Sequence, residues 1–482
     1  MTGLEAIELI HERAWTGRKP GLERTQALLT ALGNPERKLR FVHITGTNGK
    51  GSTAAMIASI LAAAGLRAGL YTSPHLYQFY ERMQVNGAPI SDRDLGRLTQ
   101  QVLEAAEDMD DPPTEFELMT AVAMAYFLEQ NCDLVVLEVG LGGRLDSTNV
   151  IPHPEAAVIT NIGLEHTKEL GNTLAQIAAE KAGILKPGCR CVLYAQGEEA
   201  SQVVRNVCLG QNIPLLETAP EQLEVLDSGL DGQAFRYRGN GPYRIRLLGD
   251  YQLSNAMTAL DTVQALREGG WDISEAAVQQ GLLQARWPGR LELVRRAPDV
   301  IIDGGHNPQC VDALSAALRK LYPNKKLIFL AGVLADKDWK AMFRRVLPMA
   351  KAFVAVTPDS PRALPAEELA EWLRAFLSRP CTGQLGCGGG CGPVHGRTRG
   401  CGLCLGLSLL RGGDPPPPGP LLRLTAPKNN TQNRSIASSA GRWEVADGRK
   451  GSDLAVVLRF RCRMRNFLLR HRRGIGRSPS SL

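Results

Sequence analysis

The residues Gly46-Thr47-Asn48-Gly49-Lys50-Gly51-Ser52 have the types and spacing of a phosphate cradle. A glycine turn between a strand and a helix aims several backbone N–H groups and the helix N-terminus at one anion. In such a loop Lys50 reaches the terminal phosphates of a nucleotide, and the Ser52 hydroxyl sits on Mg²⁺. A structural strand-turn-helix with a solvated lysine is the bland alternative. Glu138 closes an apolar run, and a carboxylate at the end of such a strand can hold the nucleotide's Mg²⁺ directly or through water. Buried there without a partner it would be costly.

Other chemistry-bearing residues leave two readings open. Thr72-Ser73-Pro74-His75-Leu76 leads into Tyr77, Phe79, Tyr80 and Arg82. That composition suits a ligand loop, or aromatic rings packing a loop onto the core. His166, beyond the run 156–161, is a hydrogen-bonded loop residue or a ligand. Arg144 and Asp146, in a glycine-rich loop, are site residues or a structural ion pair. Lys181, next to Glu180, reads from its neighbours as half of a surface ion pair.

The elements that must position these residues alternate between strand and helix. Strands are expected at 41–45, 68–71, 133–139, 156–161 and 189–195, the run 133–139 being apolar enough for burial on both faces of a parallel sheet. Helices are expected at 4–14, 22–32 and 53–64, from the capping box Thr114–Glu117 through Leu128, from Asn172-Thr173 to near Gly183, and at 256–267. The stretch 196–248 is weakly patterned. Trp287-Pro288-Gly289-Arg290 breaks the pattern as a hinge would. A second set follows, with strands at 300–303, 327–331 and 353–357 and a helix at 366–377. Its first turn, Asp303-Gly304-Gly305-His306-Asn307-Pro308, lacks the GxGxxG fingerprint of dinucleotide binding, so NAD is not expected. The fold class is therefore α/β: a P-loop ATPase domain with a mostly parallel sheet over 1–288, then a smaller Rossmann-like domain over 289–378.

Composition sets the bounds. With 482 residues, 44% hydrophobic and 22% charged, the chain can build more than one core. No apolar run approaches the roughly 18 residues of a membrane span, and the N-terminus lacks a signal peptide's basic and apolar regions, so a cytoplasmic protein is expected. The 11 cysteines at irregular spacing suit reduced thiols. The net charge of +7 averages two unlike segments: residues 379–482 hold 18 Lys and Arg against 4 Asp and Glu, leaving 38 against 45 for residues 1–378. That basic Gly/Pro/Cys/Arg-rich tail shows no sustained period and is expected to be disordered. Its arginines motivate a nucleic-acid-binding reading, which the acidic remainder opposes.

The motifs in register resemble bacterial folylpolyglutamate synthase/dihydrofolate synthase over residues 1–378. They are Gly46–Ser52, Thr72–Leu76, Glu138–Asp146, Asn161–His166, Glu180–Ile184, Pro288–Arg290 and Asp303–Pro308. The resemblance implies a monomeric ATP-dependent ligase that joins L-glutamate to dihydropteroate or to the γ-carboxylate of a reduced folate through an acyl phosphate. It implies ATP contacts from Thr47, Asn48, Gly49, Lys50, Gly51, Ser52, Asn255, Arg290 and Asp303, with His306 nearby in a catalytic role. Thr72, Ser73, Pro74, His75, Leu76 and Arg82 approach the pterin substrate in that picture. One Mg²⁺ lies on Ser52 and Glu138, and a second on Glu138, His166 and a carbamylated Lys181. Peptidoglycan amino-acid ligases share the phosphate loop and are the neighbouring alternative. A catalytically impaired nucleotide- or pterin-binding descendant is another, because the family's closing strand and helix stop being legible near Ser378.

Overall fold

The computed structural model describes residues 1–13, 21–358 and 360–376, and the backbone of three further strands at Leu405–Ser408, Arg442–Asp447 and Val456–Arg461. The larger sheet is built from β1 (Phe41–Thr45), β2 (Ala68–Tyr71), β3 (Met83–Val85), β4 (Ala88–Pro89), β5 (Leu134–Glu138), β6 (Ala156–Ile159), β7 (Arg190–Leu193) and β8 (Leu215–Glu217). Their order is β4-β3-β2-β5-β1-β6-β7-β8, with only β3 and β4 antiparallel to their neighbours.

β1 lies between β5 and β6, in register from Phe41 opposite Val135 and from Val42 opposite Ala156. Because successive side chains leave a strand on opposite faces, each strand feeds two cores. Val42, Ile44, Val136 and Val158 pack with Ile57, Ile60, Ala256 and Val263 from the helices Lys50–Ala63 and Asp250–Glu268. On the other face Phe41, Val135 and Leu137 meet Leu118 and Val122 of the helix Glu115–Glu129, and Ala157 and Ile159 meet Ile177 and Val204. Burial on both faces is what makes these strands continuous apolar runs.

The weakly patterned stretch contains the helix Glu198–Gly210 and an antiparallel meander of β9 (Leu223–Gly229), β10 (Gly232–Tyr237) and β11 (Asn240–Ile245). Only one of its faces is apolar: Phe235, Tyr237, Tyr243 and Ile245 join the larger core, while Arg236 and Arg244 face out.

The smaller sheet has β12 (Glu292–Arg295), β13 (Val300–Asp303), β14 (Leu327–Ala331), β15 (Ala350–Ala355) and β16 (Leu405–Ser408), in the order β12-β13-β16-β14-β15. β16 runs antiparallel to both of its neighbours, so β13, β14 and β15 share one direction. The helices Pro308–Leu321, Trp339–Val346 and Ala366–Arg374 cover this sheet through Leu314, Leu318, Phe343 and Leu369. β17 (Arg442–Asp447) and β18 (Val456–Arg461) pair antiparallel with each other. The remainder of 379–482, and with it most of the expectation of disorder, lies outside the described residues. Among the described residues no helix is long and apolar enough to cross a membrane.

Candidate active site

The loop Gly46–Gly49 emerges from β1 in the middle of the larger sheet, and Lys50 is the first residue of the helix it opens. Gly46 (φ +152°) is required by packing, since a Cβ there would fall 1.8 Å from Thr160 Oγ1. The loop is pinned from β6's side. Thr47 N donates to Asn161 O at 2.7 Å, Thr47 Oγ1 to Gly163 O at 3.1 Å, and Thr160 Oγ1 to Asn48 O at 2.9 Å. The Lys50 ammonium lies on the loop's own Gly46 and Thr47 carbonyls, at 3.1 and 3.4 Å.

Two contacts that sequence reasoning missed come from some 200 residues downstream. Gln252 Nε2 donates to Ser52 Oγ at 3.2 Å and Asn255 Nδ2 to Gln252 Oε1 at 2.9 Å, so Asn255 reaches Ser52 through Gln252. Gly51 faces the Trp287 indole so closely that a Cβ would come within 2.3 Å of it. No local signal marks either contact; both follow from the helix Asp250–Glu268 and the segment after Glu275–Gln284 packing on the helix Lys50–Ala63.

Glu138 ends β5 beside this loop and is 4% exposed. Burial pushes its carboxyl above the ordinary value, against the opposing pull of Lys50, the Ser73 amide, Arg290 and Arg82. Ser73 N donates to Glu138 Oε2 at 3.1 Å, the one hydrogen bond this carboxylate takes among the described residues. The Thr72–Leu76 loop is thereby tied to Glu138. Thr72 N donates to Arg82 O at 3.0 Å, and Arg82 Nε to His75 Nδ1 at 2.9 Å. Glu81, which the sequence did not single out, accepts the amides of Leu76, Tyr77 and Gln78. Leu76 also lies against Gly289 at the hinge, and Pro74 sits between the tied Ser73 and His75.

Lys181 overturns the surface ion-pair reading: it is 3% exposed, and among the described residues its ammonium has no hydrogen bond or salt bridge. Burial, reinforced by Lys50, brings its pKa down to about 7. Glu180 instead pairs with Arg144 at 2.8 Å. Asp146 takes Leu141 N at 2.9 Å and Thr148 N at 3.0 Å, so Arg144 and Asp146 have separate partners. His166 stands exposed in a left-handed conformation (φ +50°), its pKa lowered chiefly by desolvation. Lys50 is the electrostatic neighbour that Glu138, His166 and Lys181 have in common.

The smaller domain closes on the same loop. Asn307 Nδ2 donates to Asn48 Oδ1 at 3.1 Å, and Asn48 Nδ2 to Gln309 Oε1 at 2.7 Å. His306 Nε2 lies 3.3 Å from Glu165 Oε1. Asp303 is buried with both oxygens on backbone, accepting Leu291 N at 2.9 Å and Gly305 N at 2.8 Å, so it braces the hinge against the turn before His306. The charge of Arg290 opposes the upward push of burial on the Asp303 carboxyl.

A phosphate loop at the centre of a parallel sheet, covered by a second α/β domain that reaches its apex, is the layout of an ATP-dependent ligase. Residues 44–263 match the Mur ligase middle domain and residues 289–382 the Mur ligase glutamate ligase domain. The dihydrofolate synthase/folylpolyglutamate synthase of Bacillus subtilis is 40% identical over 376 residues, covering 76% of this chain and 87% of that protein. The folylpolyglutamate synthase of Lacticaseibacillus casei is 37% identical over 378 residues, covering 76% and 88%. Among solved structures, an FPGS-AMPPCP-folate complex superposes with a TM-score of 0.70 at 35% identity, covering 78% of this chain and 94% of that one. Escherichia coli FolC in complex with DHPP and ADP gives 0.70 at 31%, covering 78% and 88%. The chain belongs to the folylpolyglutamate synthase/dihydrofolate synthase family of Mur-type ligases.

Proposed function

We propose that this chain joins the amine of L-glutamate to the carboxylate of dihydropteroate, or to the γ-carboxylate of a reduced folate, while ATP is cleaved to ADP and phosphate. The observation that carries the reading is the Ser73 amide on Glu138 at 3.1 Å, which fastens the loop expected to meet the pterin substrate to the carboxylate beside the phosphate loop. A carboxylate is a poor acyl donor. Its oxygen attacks the γ-phosphorus, ADP leaves, and the glutamate nitrogen then displaces phosphate from the acyl carbon. Lys50 and the amides of Gly49, Gly51 and Ser52 offset charge on the transferring phosphoryl group, while the Thr47 and Asn48 amides, held on Asn161 O, keep the loop in shape. Asn255 and Arg290 complete the nucleotide's surroundings, and Asp303 and His306 set the geometry of the covering turn.

The donor set fits Mg²⁺. Glu138 is a buried carboxylate with one hydrogen bond, and Ser52 Oγ stands at the loop's helix start. Among the described residues there is no cluster of three His, Cys, Asp or Glu side chains, so phosphate oxygens and water would complete the shell, as this cation favours. Lys181, with a pKa of about 7, has the neutral amine that reacts with CO₂ to give an anionic carbamate, which with Glu138 and His166 would hold a second ion. When bound, the metal withdraws charge from the phosphoryl oxygens. The reading includes a monomer working in the cytoplasm without nucleic acid.

The test is ADP release by the full chain with ATP, Mg²⁺ and dihydropteroate, with and without L-glutamate, scoring amide in the same tubes. Glutamate-dependent ADP with matching amide is the expected result. Nucleotide binding with no glutamate response for either pterin substrate would overturn the proposal.

A further inference from the structure

We propose that Glu165 is a positioning residue that locks the smaller domain over the phosphate loop, so that the activated carboxylate is kept for the amine and withheld from water. This rests on the ligase reading above. Glu165 follows β6 of the larger sheet, yet the side chains it holds all come from the smaller domain. Its Oε1 lies 3.3 Å from both His306 Nε2 and Lys337 Nζ, and its Oε2 accepts from Asn307 Nδ2 at 3.1 Å. His306 and Asn307 precede the helix Pro308–Leu321, and Lys337 lies in the loop after β14, so one carboxylate gathers two loops. Asn307 gives the same amide group to Asn48, at the apex of the phosphate loop. Glu165 and the phosphate loop therefore grip one residue between them.

Other ion pairs between the two parts are weaker holds. Lys320–Asp250 and Arg296–Asp231, each 2.7 Å, join exposed groups that water and salt screen. The side chains of Glu165 and Lys337 are only 11% and 19% exposed. What the lock protects follows from the chemistry. Attack by the glutamate nitrogen on the acyl carbon forms the amide and expels phosphate; attack by water expels the same phosphate and returns the carboxylate. Both consume one ATP, and only the first makes product. A covering turn held within hydrogen-bonding distance excludes the second nucleophile.

The test uses full-length Glu165→Gln, Glu165→Asp, Lys337→Met and the Gln/Met double variant. For Glu165→Gln we expect the ratio of ADP to amide to rise about 5-fold or more, with the glutamate KM raised more than ADP release is slowed. Lys337→Met should move the ratio the same way, the double variant no further than the worse single, and Glu165→Asp should recover part of the coupling. An unchanged ratio in Glu165→Gln, or additive effects in the double variant, would overturn the lock. Amide exchange across residues 304–310 reads the lock without reference to substrate. Protection lost in Glu165→Gln supports it and equal protection refutes it, even if the wild type were to ligate a different acid.

Discussion

Replacing Lys181 by Met should make the protein more stable while abolishing its activity, and the size of the effect depends on pH in a defined way. The folded pKa is about 7 against an ordinary 10.5. At pH 7 the unfolded chain holds this proton far more tightly than the folded one, which costs folding about 4 kcal/mol. Unfolding takes up a proton between pH 7 and 10.5, so stability rises with pH across that window and is flat below and above it. By pH 9 the cost has fallen to about 2 kcal/mol. Methionine has similar length and no charge to desolvate, so Lys181→Met should exceed the wild type by about 4 kcal/mol at pH 7 and by about 2 at pH 9. Urea unfolding followed by circular dichroism, in CO₂-depleted buffer without Mg²⁺ or nucleotide, measures the two curves. Ligase turnover in bicarbonate buffer should fall about 100-fold or more in the same variant. A constant stability difference between pH 7 and 9 would refute the reasoning, because it would mean that Lys181 keeps its proton throughout.

Three further outcomes are expected. Glu138→Gln retains an acceptor for the Ser73 amide but loses the charge, so turnover should drop about 100-fold or more with the melting temperature held or raised; Mg²⁺ titrations of turnover check it, and near-normal activity would remove Glu138 from the site. Gly46→Ala drives a Cβ into Thr160, so about 1–3 kcal/mol of stability and most nucleotide affinity should go, read by thermal melts with and without ATP. Burial works to raise the Glu165 pKa, but the hydrogen bond and charge of His306, with Lys337 and His166, overcome it and hold the group at about 2. A depressed carboxyl stabilises above its unfolded pKa of about 4.5 and loses that contribution as pH falls toward 2, so Glu165→Gln should cost about 3 kcal/mol at pH 7 and about 1 at pH 3. Equal costs at both would contradict it.

Elements buried on both faces were legible, because their sequence has nothing else to encode. β1, β2 and β5 fall where their apolar runs stand, and the capping box at Thr114 opens its helix as read. The meander 223–245 was not, since half of each strand faces water and the alternation Phe235-Arg236-Tyr237 is short and interrupted by turns. The candidate site divides along the same line. The phosphate loop, Thr72–Leu76 and the strand that Glu138 ends are each announced by residues within their own few positions of the chain. Gln252 on Ser52, Trp287 on Gly51 and Glu165 on Lys337 join residues more than 170 apart, and no local period encodes which distant side chain will arrive.

Lys181 shows why chemistry was harder to read than fold. Its neighbours in sequence suggest an ion pair, and the helix Leu174–Ala182 does give one, through Glu180 to Arg144; one residue further round, the same helix turns Lys181 inward, with no salt bridge among the described residues. Asp146 and Glu138 make the complementary comparison. Both are buried carboxylates in the same stretch of chain, and burial raises both. Asp146 is satisfied by the Leu141 and Thr148 amides and the Thr148 hydroxyl, so it holds its loop and has nothing left to give. Glu138 accepts a single amide, Lys181 has no partner among the described residues, and Lys50 has two long bonds to carbonyls. Under-satisfied buried charge costs stability and persists where a ligand supplies the missing partner. By that criterion the proposed nucleotide and metal site draws on the buried Glu138 and Lys181, with the half-buried Lys50 beside them, whereas Asp146 is scaffold.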